Sequence, residues 1–144
     1  MERKAEKIMM AGYSGTPLAK KLGIKPGTKL LAINAPKDYR ALLTPMPDDV
    51  AIATKPNKSG SDIVHLFVTS LAEYERDLPK ARAAMTVDGA IWVSWYKKSA
   101  KIPTDVTEDM VRNRALKTDL VDVKVCAVSD VWSGLKLVVR KHLR

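Results

Sequence analysis

The sequence predicts an α/β domain of three layers: a mostly parallel sheet with helices on both faces, closed by an antiparallel C-terminal hairpin strand. Three observations predict it. Apolar runs such as Ile63-Val64-His65-Leu66-Phe67-Val68 are continuous rather than alternating, as in strands covered on both faces. Segments of helical period with capping residues lie between these runs. The last two runs are separated only by Asp130-Val131-Trp132-Ser133-Gly134, a link short enough to force an antiparallel hairpin.

In chain order, Thr16-Pro17-Leu18 through Gly23 reads as a short helix, with Thr capping, Pro in the first turn and Gly terminating. Lys25-Pro26-Gly27 turns the chain into a buried strand, Lys29 to Ile33, which Asn34-Ala35-Pro36 stops because proline cannot extend a central ladder. A short helix over Lys37 to Leu43 and a short strand over Val50 to Ala53 follow, then a polar loop at residues 55–61. Ile63 to Val68 is the expected central strand. Ser70 and Glu73 have capping-box spacing, and Leu71, Tyr74, Leu78, Ala81 and Met85 make a helical stripe. Pro79 predicts a kink or two abutting helices near Leu78, and Asp88-Gly89 is expected to end that element before a strand over Ala90 to Trp95. Thr104 or Asp105 can cap a helix reaching about Lys117, and the hairpin strands run over Val121 to Ser129 and Leu135 to Arg140.

With 144 residues, 46% hydrophobic and 28% charged, the chain fits one globular domain, expected over residues 13–144, while residues 1–12 read as a basic tail whose order is left open. No apolar run approaches the roughly 20 residues of a spanning helix, so no membrane association is expected. The charged N-terminus and the single cysteine, Cys126, point to the cytoplasm. The charge is unevenly placed. Residues 1–30 hold seven Lys/Arg and two Glu, residues 124–144 hold five Lys/Arg and one Asp, and residues 31–123 hold 13 of each sign. The whole net charge of +9 therefore sits near the two ends, beside an internal cluster at Lys97, Lys98 and Lys101. Such a field solubilises a surface or attracts nucleic acid.

The stretches KKLGIKPG, WVSWYKKSAKIPTDVTED and DVWSGLKLV resemble an uncharacterised bacterial domain-of-unknown-function family (domain of unknown function 3052 type), which implies no activity. More distantly, LGIKPGTKLLAIN, the buried strand, VDGAIWVSW and the closing hairpin resemble class I methyltransferases, a resemblance that implies a Rossmann-like fold. Those enzymes place a glycine-rich turn after the first strand and an acidic residue after the second. Here the segments are Asn34-Ala35-Pro36-Lys37 and Ala53-Thr54-Lys55-Pro56, with neither glycine nor carboxylate. The fold is expected to carry over without the cofactor, and none is assigned. A missing third strand relative to that fold would leave a short sheet edge able to recruit a second copy as a homodimer.

In an open parallel sheet, ligands sit outside the C-terminal strand ends. That rim offers Asn34 and Lys37, then Ser70, then Trp95, Lys97, Lys98 and Ser99, with Asp130 and Trp132 brought over by the hairpin. Lysines, hydroxyls, an amide and tryptophan suit a small anionic ligand with a flat apolar part. Each residue also has a plainer reading: Ser70 and Thr104 as helix caps, Lys97 and Lys98 as a solvated loop, the tryptophans as packing, and His65 as a hydrogen-bonded core imidazole. Neither His65 nor His142 is placed near a nucleophile, and no metal-ligand spacing occurs, so hydrolase and metalloenzyme chemistry are disfavoured. The expected function is a degenerate methyltransferase-like domain binding a small anionic ligand or a protein partner. The alternatives are a divergent S-adenosylmethionine-type transferase using Asn34, Lys97, Lys98 and Trp132, and a basic nucleic-acid-binding domain.

Overall fold

The computed structural model describes residues 15–144, so the tail expected over residues 1–12 lies outside the described residues. Within them six strands form one mixed sheet: β1 (Lys29–Ile33), β2 (Ala51–Ala53), β3 (Ser61–Phe67), β4 (Met85–Tyr96), β5 (Leu120–Ala127) and β6 (Trp132–Val139), in the order β2-β1-β3-β4-β6-β5. β2, β1, β3 and β4 pair in parallel, and β6 lies antiparallel between β4 and β5. This is the expected three-layer α/β fold with a closing hairpin, and the short β2 forms one edge.

Period-2 alternation splits the core into two halves. One face of the sheet, with Leu31, Val64, Leu66, Val93, Leu135 and Leu137, is covered by α3 (Leu71–Ala84) and α4 (Glu108–Ala115). The other, with Leu30, Ile63, Phe67, Trp92 and Trp132, lies under α1 (Leu18–Lys21), α2 (Tyr39–Leu43) and their loops. α1 is too short to hold itself in water. Its exit is anchored by the Trp92 indole N–H, which donates to the Leu22 carbonyl at 3.0 Å. On the same face Tyr39, His65, Phe67, Trp132 and Tyr96 form a continuous aromatic series, each ring stacked on or edge-on to the next at 4.2–5.3 Å.

The structure corrects four sequence expectations. Of the two outcomes expected at Pro79, division does not occur: α3 is one element, with Pro79 on the exposed side together with Glu75, whose carbonyl loses its partner to the proline. Asp88-Gly89 is not a terminator. α3 ends at Ala84 and β4 begins at Met85, running through Gly89 with a register irregularity opposite Ser61 and Ile63. Glycine is needed there because a Cβ on Gly89 would stand 2.7 Å from the Asp62 carbonyl oxygen, as at a strand irregularity where two backbones crowd. Neither Thr104 nor Asp105 caps α4; Thr107 does, its hydroxyl accepting from the Met110 N–H. The helix expected from Lys37 starts at Tyr39, after a turn following Pro36. Among the described residues no helix is long and apolar enough to cross a membrane.

Candidate functional site

β4 emerges at the C-terminal rim of the sheet and the chain then loops back to α4. Its last residues pair with the start of β6, Tyr96 opposite Trp132 and Trp95 opposite Ser133, and the Lys97 N–H donates to the Val131 carbonyl at 2.8 Å. A turn of 3-10 helix over Lys98–Ala100 follows, and Lys101 takes a left-handed conformation at φ 57°. The returning segment is tied to the β3–α3 turn: the Thr104 hydroxyl donates to the Thr69 carbonyl, and the Asp105 carboxylate accepts from the Leu71 N–H, both at 2.8 Å. Asp105 thus serves the first turn of α3, where a carboxylate meets unpaired N–H groups and the positive end of the helix dipole.

Between this loop and the first turn of α4 lies a cleft of about 880 Å³. Trp95 and Val106 form its apolar floor, with Ile102 exposed at the mouth. Lys97, Lys98 and Lys101 line one side together with Ser99, and Ser133 reaches it from β6. Glu108 and Asp109 line the other, but Arg112 holds both, and also Asp122 at 2.9 Å. The Arg112 guanidinium is held firmly protonated by these hydrogen bonds, first to Glu108 and then to Asp122. Two walls of opposite charge over an apolar floor suit a small molecule with an anionic end.

Of the residues singled out in the sequence, the fold gathers Trp95, Lys97, Lys98 and Ser99 in this cleft. Asn34 lies outside it, at the end of β1 with φ 59°, its amide donating to Asp77 at 3.0 Å and more weakly to the Phe67 carbonyl at 3.4 Å. Asp77 is buried, and its carboxyl is held below the usual range by Arg76 first, while burial opposes the shift. Asn34 therefore occupies the left-handed conformation for which glycine is the default, and it does so by bonding to α3. Lys37 is exposed before α2, and Asp130 is exposed in the hairpin turn. Ser70 caps α3, accepting from the Glu73 N–H at 3.1 Å, while the Glu73 carboxylate reaches back to the Thr69 N–H.

Trp132 is buried against Phe67 and Tyr96, because alternation along β6 sends it to the face opposite Ser133. His65 is fully buried, with Tyr39 Oη at 2.8 Å from Nδ1 and Ser94 Oγ at 2.8 Å from Nε2. Burial lowers its pKa to about 3, so it is a neutral core imidazole. Sequence reasoning missed Thr104, Thr107, Glu108 and Asp109 as cleft residues. The Thr107-Glu108-Asp109 run, a cap followed by two first-turn carboxylates, was the available signal.

No family model and no curated protein matches the chain. Among solved structures, the Bacillus subtilis M1A22 tRNA methyltransferase TrmK superposes with a TM-score of 0.56 at 9% identity, covering 85% of this chain and 63% of that one. The DhpI–SAH complex gives 0.55 at 10%, covering 85% and 82%. The ribosomal protein L11 methylase from Lactobacillus delbrueckii subsp. bulgaricus gives 0.50 at 10%, covering 85% and 74%. At such identities the likeness is one of fold: the chain has the Rossmann-like α/β fold of these methyltransferases.

Proposed function

We infer that this chain is a methyltransferase-like Rossmann domain that binds a small ligand bearing an anionic group, in the cleft between the β4 exit loop and the first turn of α4. The observation that carries the reading is the convergence of Lys97, Lys98 and Lys101 over an apolar floor at the rim where open α/β sheets hold ligands. Glu108 and Asp109 opposite the lysines disfavour a polyanion there and favour a molecule with one anionic end. Membership of the domain-of-unknown-function family resembled by WVSWYKKSAKIPTDVTED belongs to the same reading, since that stretch supplies most of the cleft. Binding without methyl transfer is favoured by the β1 turn, where Asn34 is committed to Asp77.

A thermal-shift screen against nucleotides, S-adenosylmethionine, coenzyme A and phosphates tests it. A true ligand at a hundredfold excess over its Kd stabilises by roughly 2.7 kcal/mol. Lys97→Ala with Lys98→Ala is expected to abolish the response. A ligand response untouched by this pair would refute the cleft, and methylation of an acceptor by bound S-adenosylmethionine would restore the transferase alternative.

A further inference from the structure

Lysines from residues 15–30 and from the C-terminal hairpin come together in space, on the face of the sheet that α3 and α4 do not cover. Lys124 on β5 and Lys136 on β6 are direct cross-strand partners. They share a face with Gly134, where an added Cβ would meet the Trp92 ring, so both stand on the α1 side. From the N-terminal part, Lys21 donates to the Ala127 carbonyl at 3.3 Å, and Lys25 lines a groove with Lys136. Four lysines from three elements and a turn thus run along one side of the hairpin. Among the described residues α1 reaches that side through Lys21, and Val121, Cys126 and Val138 are half-buried there.

The carboxylates are distributed oppositely. Glu73, Glu75, Asp77, Glu108, Asp109, Asp119 and Asp122 all sit in or against the α3–α4 layer, paired there with Arg76, Lys80, Arg82, Arg112 and Arg114. None of Lys21, Lys25, Lys124 and Lys136 makes an ion pair among the described residues, although Asp62 and Asp88 line the groove that Lys25 and Lys136 share. Like charges directly opposite across a sheet are destabilising, so the Lys124–Lys136 pair costs the hairpin stability that a row of phosphates would return. The aromatic rings of this face are tied into the core, Trp92 and Trp132 both being buried, so bases find no stacking platform.

We propose that the open face of the β5–β6 hairpin, with Lys21 and Lys25 beside it, binds the sugar-phosphate backbone of a nucleic acid without reading its bases. Contact to backbone alone implies tolerance of sequence and a steep loss of affinity with salt, as counterions released by binding become harder to displace.

Fluorescence anisotropy with labelled DNA duplex and single-stranded RNA of mixed sequence, between roughly 50 and 200 mM salt, is the test. Four phosphate contacts predict a slope of log K against log salt of about −3.6 on duplex. Lys124→Gln with Lys136→Gln is expected to reduce the slope by about 1.8, whereas Lys117→Gln with Lys80→Gln on the helix layer leaves it unchanged. Lys21→Gln with Lys25→Gln should give a comparable loss, so the proposal is tested even if one pair fails to fold. It is overturned if the parent shows no salt-sensitive binding, if the helix-layer pair weakens binding as much as the hairpin pair, or if phosphatidylserine vesicles bind and nucleic acid does not.

Discussion

His65 is held between Tyr39 and Ser94 in a site that accepts only its neutral form. One ring nitrogen carries a proton and the other accepts one, and a phenol on one side and a hydroxyl on the other satisfy both. With a folded pKa of about 3 and an unfolded value near 6.5, the unfolded chain takes up a proton that the native protein refuses. The associated stability is complete above about pH 6.5 and is lost, at about 1.4 kcal/mol per unit, as pH falls toward 3. Urea unfolding at pH 4.5, 5.5 and 7.5 should show this slope, and His65→Gln should flatten it between pH 5 and 6.5. Asp77 and Asp119 cannot mimic it, because Arg76 and Arg82 keep their carboxyls below the usual range and outside that window. A histidine inside an apolar run already carried this meaning in the sequence. The Asn34 amide did not, since its partner Asp77 lies 43 positions away with no local pattern joining them.

Among elements, the loop from Tyr96 to Thr107 decides how well the cleft is formed, and it is fastened mainly at Thr104 and Asp105. Asp105→Ala removes the acceptor for the Leu71 N–H and is expected to cost about 1–2 kcal/mol in urea unfolding. Asp105→Asn, which retains an oxygen there, should recover part of it. If Asp105→Ala leaves stability unchanged, the bond does not hold the loop. Elements with a single reading were legible in the sequence: Lys29 to Ile33 is a strand in both, while of the two readings of Ser70, rim ligand and helix cap, the structure shows the cap. Segments with two readings were not. Asp88-Gly89 has the composition of a turn, but here glycine is what lets β4 pass close to Asp62. Trp132 had the composition of a ligand platform, and the parity of β6 sent it to the core while Ser133 went to the cleft.

At the scale of the molecule, the sheet has two edges that no other described strand pairs, and both are poor templates. β2 is three residues long with Pro47 shortly before it and Pro56 shortly after. β5 is longer and exposes Val123 and Val125, but its ladder is interrupted between Asp122 and Lys124, and a lysine stands at the break. A homodimer built on the β2 edge would gain few ladder bonds. Light scattering after size exclusion is expected to return the 15.9 kDa of one chain, and a mass twice that would show that an edge does pair.

The passage from α3 into β4 has a mechanical consequence. Ala84 closes the helix and Met85 opens the strand with no connecting residue between them, and the slack lies in the strand itself, where residues 86–89 bulge opposite Asp62. The same strand ends at the cleft floor with Trp95, and the same helix begins beneath the Asp105 tether. Helix and strand therefore form a closed brace, fastened to the cleft at both ends and bulged at its far corner. A molecule entering the cleft meets a floor and a tether that belong to one continuous helix–strand unit, with the lysine loop as the remaining side.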